Sequence, residues 1–233
     1  MSTSGAGEPF VWAIVAAGGD GRRLGASVPK AFVPFRGRPL LAHAIELFEE
    51  HPAVVGMVLV VPAGWEQPAS LMADELAAGK VAAAIAGGST RSDSVAAGLT
   101  RVPAEAGVVV VHDAARPLAS AALLSRVLAG LEPSAGAVPA LPIGDTVKRV
   151  EAGVVRETLD RSALVTVQTP QAFRAAALRA GYAADPAAVA AATDCSALVE
   201  AAGFQVAAVA GDPVNIKITH PADVALAERA VPS

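Results

Sequence analysis

Glycines and cationic side chains cluster directly after the first apolar run of the chain. Residues 10–16 are all apolar, and the next stretch contains a group of glycines and cations: Gly18, Gly19, Gly21, Gly25, Arg22, Arg23 and Lys30. Glycine lets backbone N–H groups close around a phosphate, and arginine and lysine donate charge-assisted hydrogen bonds to its oxygens. The sequence therefore predicts a triphosphate-binding loop at the end of a buried strand.

Two other types of glycine loop fit these residues less well. A P-loop requires Lys-Ser or Lys-Thr directly after its last glycine, and neither follows Gly25. A dinucleotide-binding loop must enter a helix at once, whereas Pro29 interrupts the segment here. The dinucleotide loop and a plain structural turn remain alternatives to triphosphate binding.

The fully apolar segment 107–111 is followed directly by His112 and Asp113 and, three residues after Asp113, by Arg116. A carboxylate at the tip of a central parallel strand, close to an arginine, is typical of a magnesium ligand beside a phosphate. The alternative is an ion pair between Asp113 and Arg116 that closes the loop. The pattern favours the metal role for Asp113 and a packed, structural role for His112.

A second glycine pair, Gly87 and Gly88, precedes a predicted helix that runs to about residue 99. Arg91 falls in the first turn of that helix, where a positive charge opposes the helix dipole. We therefore expect Arg91 to serve an anion or a structural carboxylate. An ordinary capped helix is the alternative.

The apolar pattern supplies a scaffold for these side chains. Predicted helices at 39–50 and 67–78 alternate with predicted strands at 54–61, 81–85 and 107–111. Further strands are predicted at 135–140 and 204–209, and further helices from Thr193 or Asp194 and from Pro221. This alternation predicts a parallel sheet covered on both faces, with ligands bound beyond the carboxyl ends of its strands.

Residues 143–167 depart from the alternation. Polar and β-branched residues alternate around Glu151-Ala152-Gly153, which predicts a hairpin turn. Because an isolated hairpin is marginally stable, we expect this one to pack on another subunit.

Composition limits the class of protein. The chain has 233 residues, 53% hydrophobic, with a net charge of -4 and a mean hydropathy of +0.48. No linker divides residues 1–233, so a single domain is expected, without a nucleic-acid surface or a membrane span. Cys195 is the only cysteine, which excludes an internal disulfide, and the N-terminus lacks a signal-peptide pattern. A cytoplasmic location is therefore expected.

Several motifs in order carry a resemblance to a known family: AAGGDGRRLG with VPK, GGSTRSDSV, VHDAARP, DTVK, TLDR, QTPQAF, TD followed by Cys195 and Ser, and NIKIT. Together they make the chain similar, over essentially its whole length, to the 2-C-methyl-D-erythritol 4-phosphate cytidylyltransferases of non-mevalonate isoprenoid biosynthesis. The resemblance implies an α/β fold: a three-layer Rossmann-like nucleotidyltransferase fold with a mostly parallel twisted sheet. It also implies that a β-arm at about 143–167 projects from the domain for homodimerisation.

The activity implied is transfer of CMP from CTP to 2-C-methyl-D-erythritol 4-phosphate with release of pyrophosphate, assisted by Mg²⁺. The implied CTP-binding residues are Ala16, Ala17, Gly18, Gly21, Arg23 and Lys30, with Gly88 and Ser94 at the cytosine and ribose. The implied residues around the metal, phosphates and substrate are Asp113, Arg116, Thr169, Thr193 and Lys217. Of these, Arg23, Lys30 and Lys217 are the expected catalytic cations, and Asp113 the metal ligand. Thr146 and Arg161 are implied to reach the active site of the partner subunit.

Two alternatives stay open at this point. A ribitol-5-phosphate cytidylyltransferase shares the fold and most motifs, since its acceptor is also a small polyol phosphate. A nucleotide-binding module without turnover is the alternative from another class, although binding alone requires neither a metal carboxylate nor several converging cations. Cys195 departs from the family pattern, which often carries an acidic residue at that position.

Overall fold

The computed structural model describes residues 10–19, 21 and 24–230. Its strands are β1 Val11–Ala16, β2 Pro34–Phe35, β3 Arg38–Pro39, β4 Val54–Val61, β5 Val81–Ala86, β6 Val108–Asp113, β7 Gly136–Pro142, β8 Lys148–Glu151, β9 Val154–Thr158, β10 Val165–Val167, β11 Gln171–Arg174 and β12 Val206–Ala210. Its α-helices are α1 Leu40–Glu50, α2 Glu66–Glu75, α3 Arg91–Leu99, α4 Ala121–Ala129, α5 Ala175–Tyr182, α6 Pro186–Ala191, α7 Cys195–Ala201 and α8 Pro221–Ala230. Lys30–Phe32 and Arg161–Ala163 form short 3-10 helices. None of these described helices has the length and apolar character that crossing a membrane requires.

A mixed sheet forms the centre of the molecule. The strands β5, β4, β1 and β6 lie side by side and parallel, as the alternating pattern predicts. β11 follows β6, β7 follows β11, and β12 lies on the far side of β7 and parallel to it. In the register of β1 and β6, Ala16 pairs with Asp113, so the predicted glycine loop and the predicted metal ligand leave the sheet side by side.

Apolar side chains cover both faces of this sheet, which gives the predicted three layers. Along β6, Val108 and Val110 pack in one cluster with α1, α2 and α4, whereas Val109 and Val111 pack in the other with α3, α5 and α7. All four valines are buried, because a central parallel strand has helices on each side. The predicted α/β class is confirmed.

Two strands of the main sheet, β10 and β11, were not predicted from the sequence, nor were the two-residue strands β2 and β3. β11 runs antiparallel to both of its neighbours, β6 and β7, and β10 runs antiparallel to the end of β7. Phe173 of β11 is fully buried and lies where a Cβ on Gly136 would come within 2.8 Å of its ring. A four-residue strand of this kind is fixed by its neighbours rather than by its own pattern.

The predicted hairpin is present as β8 and β9, which pair with each other in a separate two-stranded sheet. Ala152 and Gly153 have φ values of 48° and 79°, as a two-residue turn between twisted strands requires. Every residue of the two strands is exposed. The exposed side chains include Val150, Val154 and Val155, each more than half exposed.

Candidate active site

A cleft of about 250 Å³ lies at the carboxyl ends of the parallel strands. Its walls come from the segments after β1, β5 and β6, from the 3-10 helix after the glycine loop, and from the chain before α8. The lining residues are Ala16, Ala17, Gly18, Gly19, Lys30, Ala31, Gly88, Ser89, Thr90, Arg91, Ser94, Asp113, Ala114, Ala115 and Lys217. The structure thus brings together residues that are separated by 201 positions in sequence (16 to 217).

The glycine loop folds back on residues 28–30 and so brings Lys30 to the cleft. The Lys30 backbone N–H donates to the carbonyl of Gly19 at 3.0 Å. Gly21 has a φ of 74°, and a Cβ there would lie 2.6 Å from the carbonyl oxygen of Val28. Gly21 is therefore needed for the fold of the loop, although it does not itself line the cleft. Arg23, predicted to be catalytic, lies outside the described residues.

The opposite wall is built by the start of α3. Thr90 caps the helix, accepting from the Asp93 backbone N–H at 3.0 Å. The hydroxyl of Ser94 accepts from the Gly88 N–H at 3.2 Å and donates to the Thr90 carbonyl at 2.9 Å. A Cβ on Gly88 would come within 2.3 Å of the Asp93 Cβ, so this close approach excludes any side chain. Gly88 and Ser94, both predicted site residues, lie together in the cleft.

Asp113 lies between two cations at the floor of the cleft. Arg91 Nε donates to Asp113 Oδ1 at 2.8 Å, and Lys217 Nζ donates to Oδ2 at 2.6 Å. Burial by itself raises the pKa of a carboxyl group, but the charges of Arg91 and Lys217 hold the pKa of Asp113 well below its usual range. Arg91 was expected to serve an anion or a structural carboxylate. In this structure its partner is a carboxylate, that of Asp113. The ion pair considered between Asp113 and Arg116 is not the one formed, because the Arg116 guanidinium donates to the carbonyl of Asn215 at 2.7 Å.

Thr169 and His112 lie behind Asp113 and support it. The Thr169 hydroxyl accepts from the Asp113 backbone N–H at 3.0 Å and is 3.1 Å from His112 Nδ1. His112 is fully buried, with its ring edge-on to Phe48 at 5.6 Å. Burial lowers the pKa of His112 to about 4, although the Asp113 carboxylate acts in the other direction. His112 is packed in the interior, as predicted, and is not among the residues that line the cleft.

The position of Lys217 depends on buried amides that the sequence analysis missed. Gln168 Nε2 donates to the carbonyl of Asp212 at 2.9 Å, and its oxygen accepts from the Asp212 N–H at 3.0 Å. Asn215, which is fully buried, donates to the Thr169 carbonyl at 2.9 Å. These bonds tie the segment that carries Lys217 to Gln168 and Thr169, which lie just before β11. Their signal in the sequence is an amide residue next to Thr-Pro and another between Val214 and Ile216.

The remaining predicted residues lie outside the cleft of this chain. Thr146 and Arg161 are exposed, and Arg161 donates to the carbonyl of Gly144. Thr193 is exposed and directly precedes Asp194, whose side chain caps α7 by accepting from the Ala197 N–H at 3.0 Å. Their roles toward substrate stay predictions.

A glycine loop at the carboxyl end of a parallel strand, lining a small cleft together with lysines and a buried carboxylate, defines a nucleotidyltransferase class of α/β protein. Comparison with known proteins narrows that class. Residues 11–233 match the family model described as IspD, 2-C-methyl-D-erythritol 4-phosphate cytidylyltransferase. The chain belongs to this family. The fold and the cytidylyltransferase activity predicted from the motifs are thereby confirmed.

Individual relatives agree with this membership. The 2-C-methyl-D-erythritol 4-phosphate cytidylyltransferase of Nocardia farcinica is 47% identical over 220 residues, covering 94% of this chain and 92% of its own. The bifunctional enzyme IspD/IspF of Anaeromyxobacter dehalogenans is 47% identical over 215 residues, and the chain spans only 54% of its length. The crystal structure of the cytidylyltransferase from Thermus thermophilus is 35% identical with a TM-score of 0.76, covering 93% of this chain and 96% of that one.

Proposed function

We propose that the cleft around Asp113 is where this chain transfers CMP from CTP to 2-C-methyl-D-erythritol 4-phosphate, forming 4-diphosphocytidyl-2-C-methyl-D-erythritol and pyrophosphate. The observation that carries the proposal is the position of the Asp113 carboxylate. It is held by Arg91 and Lys217 in a cleft that the glycine loop and Lys30 also line. Binding of a triphosphate alone would not require a carboxylate there, because a carboxylate repels phosphate.

The reaction does not need a general base. The nucleophile is a phosphate monoester, whose second pKa is about 6, so it is largely ionised at neutral pH. In agreement, His112 lies behind Asp113, and burial keeps its pKa at about 4. The site has to align two anions that repel each other and to stabilise the charge that develops on the α-phosphate and on the leaving pyrophosphate.

Cations and backbone donors of this chain meet that need. The loop from Ala16 to Gly18 presents its backbone to the cleft, with Lys30 beside it, and is proposed to hold the triphosphate together with Gly21 and Arg23. Gly88 and Ser94, on the opposite wall, are proposed to hold the cytosine and ribose. Lys217 is 43% exposed, so its ammonium can leave Asp113 and turn to the phosphate under attack.

The residues present fit a magnesium ion that is bound mainly through the nucleotide. Among the described residues, no group of three or more acidic, histidine or cysteine side chains could hold a metal, and Asp113 is the carboxylate that lines the cleft. Mg²⁺ is commonly bound by one or two carboxylates together with substrate phosphates and water. When bound, it neutralises phosphate charge and polarises the phosphorus centre. Asp113 would be its protein ligand.

The acceptor phosphate is proposed to be bound in part by a second subunit of a homodimer. Thr146 and Arg161 flank the exposed hairpin of β8 and β9, and the exposed valines of that hairpin would be covered in a dimer. Arg116, Thr169 and Thr193 are proposed to complete the substrate side of the site. A cytoplasmic location is proposed along with this activity.

The deciding experiment measures magnesium-dependent pyrophosphate release from CTP with methylerythritol phosphate and ribitol 5-phosphate in parallel. A strong preference for methylerythritol phosphate is expected, and Asp113→Asn should abolish most of the release. Preference for ribitol 5-phosphate would keep the site but change the acceptor. Tight CTP binding without release for either acceptor would contradict the catalytic proposal.

A further inference from the structure

Arg91 contacts two different groups at the back of the cleft. Its Nε donates to Asp113 Oδ1 at 2.8 Å, and its Nη1 is 3.5 Å from Cys195 Sγ. Arg91 occupies the first turn of α3, where the helix dipole makes a positive charge unfavourable. The attraction of the Asp113 carboxylate offsets this unfavourable interaction, and so accounts for an arginine at this position.

The two cations on Asp113 differ in how firmly they are held. The Arg91 side chain is 26% exposed, and two of its guanidinium nitrogens, Nε and Nη1, have partners. The Lys217 side chain is 43% exposed and contacts Asp113 only through Nζ. A planar guanidinium is fixed by several donors in one plane, while an ammonium rotates freely on a flexible stem. Lys217 can therefore move to a phosphate while Arg91 stays in place.

We propose that Arg91 is a positioning residue: it fixes Asp113 through Oδ1 and leaves Oδ2, the oxygen that Lys217 contacts, for the cation that accompanies the nucleotide. The inference rests on the proposed function, because it takes Asp113 as the protein ligand of that cation. A carboxylate oxygen has two acceptor sites, so Oδ2 can bind a cation as Lys217 turns away. Without Arg91, the Asp113 carboxylate could rotate and its charge would be balanced by Lys217 alone.

Cys195 and Tyr182 hold the other end of Arg91. The thiol is fully buried and lies 3.4 Å from the Tyr182 hydroxyl and 3.5 Å from Arg91 Nη1. Burial raises the pKa of the Cys195 thiol, although Arg91 acts in the other direction. The sulfur is therefore neutral at physiological pH and accepts only weakly. The thiol therefore limits the rotation of the Arg91 guanidinium without competing with the Asp113 carboxylate as a charged partner.

The test is titration of Mn²⁺ into the enzyme with saturating CTP, followed by water-proton relaxation, which needs no turnover. Loss of a residue that orients a metal ligand usually costs about 10–100-fold in metal affinity, and we expect that range for Arg91→Gln. Arg91→Lys should fall between Arg91→Gln and the wild type, because an ammonium keeps the charge but not the two-ended fork. Arg179→Gln is the matched control, since this half-buried arginine binds only the backbone carbonyls of Leu99, Val102 and Pro103.

Each outcome decides the proposal. Mn²⁺ affinity within about two-fold of the wild type in folded Arg91→Gln would overturn it. If Arg91→Gln does not fold, Arg91→Lys decides, and wild-type affinity in that variant would overturn the positioning role. The variant Asp113→Asn distinguishes a failure of the proposed function of Asp113 from a failure of the positioning role of Arg91. If Asp113→Asn leaves Mn²⁺ affinity unchanged, the proposed function of Asp113 fails; if it lowers the affinity and Arg91→Gln does not, only the role of Arg91 fails.

Discussion

At the scale of single residues, the lysines divide by environment. Lys30 and Lys217 line the cleft, whereas Lys80 binds the carbonyls of Phe48 and His51 away from it. Lys80 is half-buried, and its ammonium has a structural role in these two hydrogen bonds. A lysine therefore marks the active site only where the fold brings it to the phosphates.

Replacing either cleft lysine should affect turnover far more than folding. Lys30→Ala and Lys217→Ala remove a donor that stabilises developing charge, so we expect kcat to fall by about 10²–10³-fold. Steady-state pyrophosphate release measures this, with thermal unfolding as the check on structure. A kcat within about two-fold of the wild type in a folded variant would exclude that lysine from the chemistry.

His112 should make the stability of the protein depend on pH. Because burial lowers its pKa to about 4, the unfolded chain binds a proton at a higher pH than the native state does. The stability that neutral His112 contributes is therefore fully present above about pH 6.5, the pKa of histidine in the unfolded chain, and is lost as the pH falls toward 4. Through His112 alone, the free energy of unfolding should fall by about 2 kcal/mol between pH 7 and pH 5.

The measurement is urea unfolding at both pH values for the wild type and for His112→Gln. The difference in free energy of unfolding between pH 7 and pH 5 should be smaller in the variant. His220→Gln, at an exposed histidine, is the control and should follow the wild type. Equal losses in His112→Gln and the wild type would show that His112 protonates as readily in the native state as in the unfolded chain.

At the scale of elements, the end of α1 is stabilised from outside the helix. The last turn of α1 carries no basic residue, and Lys80 donates to the carbonyls of Phe48 at 3.3 Å and His51 at 2.9 Å. A cation at a helix C-terminus satisfies free carbonyls and interacts favourably with the dipole. Lys80 thus links the start of β5 to the helix before β4.

Lys80→Met should destabilise the protein without affecting its activity. Loss of the charged hydrogen bonds is expected to lower the free energy of unfolding by about 1–3 kcal/mol. Denaturant unfolding measures this, and kcat should stay unchanged because Lys80 lies outside the cleft. Unchanged stability would mean that water replaces the ammonium at no cost.

One element that the pattern did not predict, β11, carries part of the site. Gln168 and Thr169 lie just before it, and they hold the Asp212–Asn215 turn and the backbone of Asp113. The strand itself is four residues long, too short to show a period, and its apolar residues are buried by β6 and β7 on either side. Its existence depends on its neighbours.

At the scale of the whole molecule, most of the groups proposed for CTP line the cleft of one chain, whereas Thr146 and Arg161 flank the exposed hairpin. If the hairpin reaches the neighbouring site, a subunit with Lys30→Ala can still supply a working Arg161, and a subunit with Arg161→Ala can still supply a working Lys30.

Mixing the two variants should therefore restore activity. Half of the dimers formed by random exchange are mixed, and each contains one intact site, which gives about one quarter of the wild-type rate. The measurement is pyrophosphate release after the equal mixture has been denatured and refolded together. The same treatment of each variant alone is the control. A mixture no more active than the separate variants would contradict a shared site.

Local chemistry was readable from the sequence because it is contiguous. The glycine loop, the apolar strand before Asp113 and the turn at Ala152 and Gly153 each need particular residue types at particular spacings, whatever surrounds them. The alternation of strands and helices likewise determined the parallel half of the sheet, and with it the edge at which ligands bind.

Only the tertiary structure decided which distant groups meet. The partner of Asp113 could have been Arg116, three residues away, but the Asn215 carbonyl takes that arginine, and Arg91 and Lys217 reach the carboxylate from other elements. Similarly, β11 and the buried amides around Lys217 depend on contacts between segments far apart in sequence. Burial and charge pairing act through space, so their outcome is fixed by the packed arrangement rather than by spacing along the chain.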